Sequence, residues 1–213
     1  MMETPEPDET LRPALEALAR VDSDVARAYE ACGLPPVRRH SPDFGGLVRT
    51  VAAQQVSASA ARAMIARLDS ALPGLRSADV AAMDLETARH IGLSRQKHAY
   101  IQGLAQAVLA GELDFEALAE HDDETVMAQL TAQKGVGRWT AESFLLFGLR
   151  RPDVFPAQDL ALQMAAKRLK GLAERPSPAA LRGIAEAWRP YRSAAARFLW
   201  HIYRHPGAPE GAA

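Results

Sequence analysis

Almost every stretch of this chain carries a helical pattern, and none carries a strand pattern. Ala, Leu, Arg and Glu dominate, while β-branched residues are sparse and scattered. There is no period-2 alternation and no Asn-Gly hairpin signal. The predicted fold class is therefore all-α. At 213 residues, with 48% hydrophobic and 24% charged residues, the chain has the length and composition of a folded protein of one large or two small domains. No apolar run approaches the ~20 residues of a transmembrane helix. The acidic, Pro-containing start MMETPEPDET is unlike a targeting peptide. A single cysteine, Cys32, excludes a disulfide scaffold, a cysteine zinc finger and a four-cysteine iron–sulfur cluster. A cytoplasmic location is expected.

Caps and breakers divide the pattern. A short helix is expected over 11–19. Asp22 or Ser23 opens one that Gly33 stops near Cys32. After Ser41-Pro42 and Gly45-Gly46, a long helix is expected to run through Val51 and Val56 towards Leu68. Ser94 caps a helix from Arg95 to Leu109, and Asp122 or Asp123 caps one through Leu130. Another helix should run from Gly137 to about Leu149. Asp159 opens a helix to Leu169, and Ser177-Pro178 opens a longer one that Pro190 interrupts. Residues 1–9 and 207–213 are expected to be disordered tails. His201 and His205 have i, i+4 spacing but no third ligand, so no transition-metal site is expected.

Charge is distributed unevenly. Residues 1–130 hold 12 Lys/Arg against 20 Asp/Glu, and residues 131–213 hold 13 against 6. Either the C-terminal part meets an anionic ligand or two oppositely charged lobes attract each other. The basic part opens with Leu130-Thr-Ala-Gln-Lys-Gly-Val-Gly-Arg-Trp-Thr-Ala141, a helix end, a Gly135-x-Gly137 turn and a second helix start. The two glycines permit a sharp turn and close backbone approach. Unpaired N–H groups, with Lys134, Arg138 and the Thr140 hydroxyl, would suit a nucleic-acid phosphate held without reading sequence. The plain alternative is a glycine turn between antiparallel helices. A dinucleotide site is excluded, because no strand precedes the glycines.

The longer pattern, Leu-x-x-x-x-Gly-Val-Gly-x-x-Thr-Ala with a basic loop, resembles the helix-hairpin-helix motif of DNA repair glycosylases. With Asp153-Val-Phe-Pro and Asp159 downstream, the chain looks closest to the alkylation-repair branch, the DNA-3-methyladenine glycosylase II family, over roughly Phe44 to Tyr203. The resemblance implies a two-lobed fold without the extra N-terminal β-domain of longer relatives. A six-helix lobe over 34–150 would carry wedge and hairpin. A second lobe would combine 10–33 with 151–206, and the cleft between them would hold the flipped base.

It also implies roles. Asp159, 22 residues beyond Gly137, falls where the family places its catalytic carboxylate; helix capping is the alternative and is compatible with it. Asp153 is expected to be structural. Strand-cutting relatives carry a Schiff-base lysine just before the residue matching Thr140; here that position is Trp139, so base removal without strand scission is expected. Ala53-Gln54-Gln55-Val56-Ser57 resembles the segment that fills the hole left by an everted base, with Gln55 as wedge and Gln54 beside it. Trp139 and Tyr191 are the first candidates for an aromatic pocket around a cationic base, with Phe44, Trp188 and Trp200 as additions. Ser143 stands where better-known members have a pocket tyrosine. Ser94, Arg95 and Lys97 resemble a backbone-contacting segment, though a capped helix start explains them equally.

The implied partner is damaged double-stranded DNA, met by a monomer, with no membrane, no required cofactor and a monovalent cation typical of the hairpin. Two alternatives stay open: a glycosylase for uracil or an oxidised base, and a non-catalytic helix-hairpin-helix DNA-binding module.

Overall fold

The computed structural model describes residues 6–38, 40–205 and 207. The expectations for residues 1–5 and 208–213 lie outside the described residues. Residues 6–9, expected to be disordered, are ordered: Pro7 forms an antiparallel bridge with Pro36, and the Asp8 carboxylate is buried. Apart from that bridge there is no β-structure among the described residues. No described helix is long and apolar enough to cross a membrane.

In chain order, α1 is Arg12–Val21 and α2 is Ser23–Cys32. They are followed by α3 Phe44–Ala52, α4 Ala58–Ala71, α5 Ser77–Ala82 and α6 Leu85–Ile91. Then come α7 Arg95–Leu109, α8 Phe115–Glu120, α9 Asp123–Thr131 and α10 Arg138–Ser143. The last three are α11 Leu160–Leu169, α12 Pro178–Ala185 and α13 Arg192–Arg204. Side-chain caps set many of these starts. Asp22, Ser94, Asp122, Asp159 and Ser177 each accept a backbone N–H from the first turn they open.

The chain forms two compact units, residues 40–149 and residues 1–39 with 150–213. In the first, α7 packs against α3, α5 and α6. Leu47, Val51, Leu68, Val80, Ile91, Ile101, Leu118 and Leu130 are fully buried there. Each such side chain contributes about 1.5–3 kcal/mol. In the second unit α11 packs on α13 and α1 on α2 and α13, around Leu15, Leu18, Leu162, Leu181, Trp188 and Phe198. At its centre Asp22 accepts from Lys170 Nζ at 2.6 Å and from Trp188 Nε1 at 2.7 Å. Burial alone would raise the Asp22 carboxyl pKa. The ammonium and indole partners outweigh it and hold the pKa below its ordinary value.

Three expectations about elements are corrected. The long helix through Val56 is broken at 53–57, where Gln55 adopts a left-handed backbone with φ 55° and Ser57 recaps the chain. Gly45 and Gly46 lie inside the first turn of α3 rather than before it: Asp43 caps the helix by accepting from Gly46 N, and position 46 is glycine because a Cβ there would stand 2.0 Å from the Ser41 carbonyl oxygen. The expected six helices of the hairpin unit resolve into eight, α3 to α10, two of them only six residues long besides α10. In addition, α10 loosens into a π-helical turn, Phe144–Gly148.

Candidate functional site

The hairpin is built from α9, the turn 132–137 and α10. Gly135 has φ 87°, and a Cβ there would lie 2.3 Å from the Tyr100 ring, so only glycine lets the turn sit on that ring. Gly137 is exposed and leads into α10. Lys134 and Arg138 are exposed, and Arg138 Nε also pairs with Glu142 at 2.8 Å. Thr140 departs from expectation. Its side chain is buried, and its Oγ1 accepts from Gln54 Nε2 at 2.9 Å, so the hydroxyl is turned into the protein rather than towards a phosphate.

Gln54 Nε2 also donates to the Gly135 carbonyl at 3.0 Å. The Gln54 amide thereby ties the 53–57 loop to the hairpin. Gln55, next to it, is exposed at the loop's left-handed corner, and Val56 beside it is also exposed. Beneath them Lys97 Nζ donates to the carbonyls of Ala52 at 2.7 Å and Gln54 at 2.6 Å. The Ala52 oxygen ends α3, where a cation is favoured by unpaired carbonyls and the helix dipole. Burial pushes the Lys97 ammonium pKa below the usual lysine value.

Trp139 is 39% exposed on α10. Phe44 and Ser143, expected in a pocket, are not open walls. Phe44 is buried edge-to-face against Phe115, itself against Phe144, because an aromatic at the first turn of α3 completes that core. Ser143 is 2% exposed, and its Oγ is buried without a hydrogen bond among the described residues.

The other unit carries the acidic residue. Asp159 caps α11: its Oδ1 accepts from Leu162 N at 3.0 Å and from Trp200 Nε1 at 3.1 Å. The carboxylate is half-buried and its orientation is set from two elements, α11 and α13. Trp200 itself is buried, so its indole positions Asp159 instead of lining an open pocket. Trp188 is a core residue bound to Asp22. Tyr191 is exposed at the start of α13. Asp153 joins Arg189 at 2.7 Å and Arg192 at 2.8 Å, a structural pairing of the loop with the start of α13.

Among the described residues no group of three or more His, Cys, Asp or Glu side chains could hold a metal ion. His201 Nε2 meets the Cys32 carbonyl at 3.0 Å. In the turn, where a monovalent cation is the expectation, the Gly135 carbonyl accepts from Gln54 Nε2.

The structure therefore brings Gln54, Gly135 and Thr140 together in one unit, and Asp159 and Trp200 together in the other. Sequence reasoning missed Lys97 as the support of the loop. A signal existed: a cation in the first turn of a helix opposes the helix dipole, which suggests that its charge serves another element.

Residues 48–190 match the model of the HhH-GPD superfamily base excision DNA repair proteins. DNA-3-methyladenine glycosylase 1 of Schizosaccharomyces pombe is 34% identical over 72% of this chain and 69% of that protein. An alkylbase DNA glycosidase-like protein of the same yeast is 29% identical over 92% of this chain and 95% of its own length. Among solved structures, the S. pombe 3-methyladenine DNA glycosylase in complex with abasic DNA superposes with a TM-score of 0.84. It is 29% identical and covers 92% of this chain and 98% of that one. A DNA-3-methyladenine glycosidase of Bacillus halodurans gives 0.76 at 32% identity, covering 90% and 89%.

Proposed function

The chain belongs to the HhH-GPD superfamily of base excision DNA repair proteins, and from that premise we propose that it is a monofunctional DNA glycosylase. It removes alkylated purines such as 3-methyladenine from duplex DNA and leaves an abasic site. The observation that carries this reading is Asp159, a carboxylate fixed by a helix cap and an indole N–H, downstream of a glycine hairpin. The S. pombe relatives with 3-methyladenine in their names support the choice of lesion.

The chemistry needs little more. When the N-glycosidic bond breaks, its electron pair goes to the base nitrogen and neutralises the charge that an alkylated purine already carries. Positive charge is left on the deoxyribose, where the Asp159 carboxylate stabilises it. A water oxygen then bonds to the anomeric carbon, and its proton passes to Asp159 or to solvent. The leaving base is already activated, so no second acid and no cofactor is required, and no step passes through a hairpin cation. Trp139 offers no amine, so no Schiff base forms and the strand is not cut.

DNA is gripped at its backbone by the Gly135–Gly137 turn with Lys134 and Arg138, and Gln55 fills the space of the everted base. Trp139, exposed on α10, supplies an aromatic face to the cationic ring. The protein acts as a monomer in the cytoplasm, on the nucleoid.

A panel of duplexes with 3-methyladenine, uracil or an oxidised purine, incubated with protein and split with or without alkali, tests the proposal. Release of 3-methyladenine with strand breaks only after alkali is expected. Nicking without alkali, or a borohydride-trapped covalent complex, refutes the monofunctional claim. Preference for uracil or an oxidised base refutes the lesion class, and binding with no release refutes the enzyme.

A further inference from the structure

The 53–57 loop is held by two connections that cross large sequence distances. From α7, Lys97 Nζ binds the Ala52 and Gln54 carbonyls. From the loop itself, Gln54 Nε2 binds the Gly135 carbonyl and the Thr140 hydroxyl of the hairpin. Between these anchors stands Gln55, in a left-handed conformation that an L side chain rarely adopts, with its side chain exposed. A residue in such a conformation persists only when its surroundings over-determine it. Here the Lys97 contacts fix the carbonyl on one side of Gln55 and the carbonyl that ends the preceding helix.

We propose that Lys97 and the Gln54 amide form a brace that makes the Gln55 tip and the strand-gripping turn one rigid body, so that Lys97 is a positioning residue for base eversion. The inference rests on the reading of Gln55 as the wedge. A wedge that must enter a duplex gains from a fixed direction, because a mobile tip loses conformational freedom at the moment of insertion. The hairpin that holds the backbone is the natural reference for that direction. Lys97 has no surface role in this arrangement; its ammonium is spent on two backbone oxygens at charge-assisted hydrogen-bond distances.

The test compares single-turnover release of 3-methyladenine from duplex and from single-stranded DNA, where no hole needs filling. Lys97→Met is expected to slow release from duplex by about tenfold, which corresponds to ~1.4 kcal/mol of the barrier, and to leave single-strand release unchanged. Lys97→Arg, which keeps a cation with several donors, restores most of the duplex rate. Gln54→Ala cuts the second connection without touching the Lys97 ammonium and gives the same duplex-only loss. In a Gln55→Ala background Lys97→Met has no further effect, because it acts through the tip.

Additive losses in the double variant, or equal losses on both substrates, overturn the proposal. So does full duplex activity of Lys97→Met when Gln55→Ala is slow, and that outcome leaves the wedge assignment standing. Full activity of Gln55→Ala removes the wedge assignment itself, and the brace with it.

Discussion

The helix cap made by Asp159 and its proposed catalytic role separate cleanly by substitution. Its Oδ1 accepts one bond from the first turn of α11 and one from the Trp200 indole, at 3.0 and 3.1 Å. Asparagine keeps an acceptor oxygen at that place and caps helices as well as aspartate does, so Asp159→Asn should change folding stability by less than about 1 kcal/mol. Alanine removes the cap, at about 0.5–2 kcal/mol. It also strands the N–H of an indole on a residue only 7% exposed, at about 1–3 kcal/mol. The combined loss of about 1.5–5 kcal/mol lowers Tm by roughly 3–20 °C in a protein of this size. Both variants lose the negative charge, and both should release base at least about 100-fold more slowly, as expected for a fixed group that stabilises transition-state charge. Thermal melts together with single-turnover release from a 3-methyladenine duplex measure the two effects. Wild-type release by Asp159→Asn would refute the catalytic assignment. Melting of Asp159→Asn as low as Asp159→Ala would refute the assignment of the cap.

Gly135→Ala should destabilise the protein by at least about 2 kcal/mol in urea unfolding, since it adds backbone strain to a Cβ clash with Tyr100; partial recovery in a Tyr100→Ala background would confirm the cause. Trp139→Leu should lower kcat/KM for 3-methyladenine by about 3–30-fold, the range of one cation–π contact, and change release of an uncharged purine lesion much less. The depressed pKa of Asp22 in the folded state makes its contribution to stability complete above the unfolded value of about 3.9. That contribution is lost as pH falls from there through the folded value. Urea midpoints followed from pH 6 downward should show this acid loss, and Asp22→Asn should flatten it.

What could be read from the sequence was local. Asp22, Ser94 and Asp159 announce their helices through caps, and each cap forms within three residues of its own position. The hairpin is legible for the same reason, since Gly135 and Gly137 act on adjacent backbone. The misreadings are long-range. Helix α3 stops after Ala52 where Lys97, 45 residues away in sequence, takes its last carbonyl. Thr140 and Gln54 pair across 86 residues, which converts an expected phosphate donor and an expected wedge neighbour into a structural tie. Phe44 has the composition of a pocket wall, but its position in the first turn of α3 turns it into the Phe115–Phe144 cluster. Trp200 shows the limit most clearly. Its aromaticity suggested a base contact, whereas the structure uses its N–H to orient a carboxylate.

One unit is assembled from two stretches of chain that flank the other, and this fixes a timetable for synthesis. Asp22 leaves the ribosome 148 residues before Lys170, a delay of roughly 7–30 s at ordinary elongation rates. During that interval residues 40–149 can complete their own interior, while the oily faces of α1 and α2, with Leu15, Leu18, Val25 and Ala28, have no α11 or α13 to rest on. Helices α1 and α2 are thus a stretch that a folding chaperone would shield for long, and the emergence of α11 and α13 is what releases them.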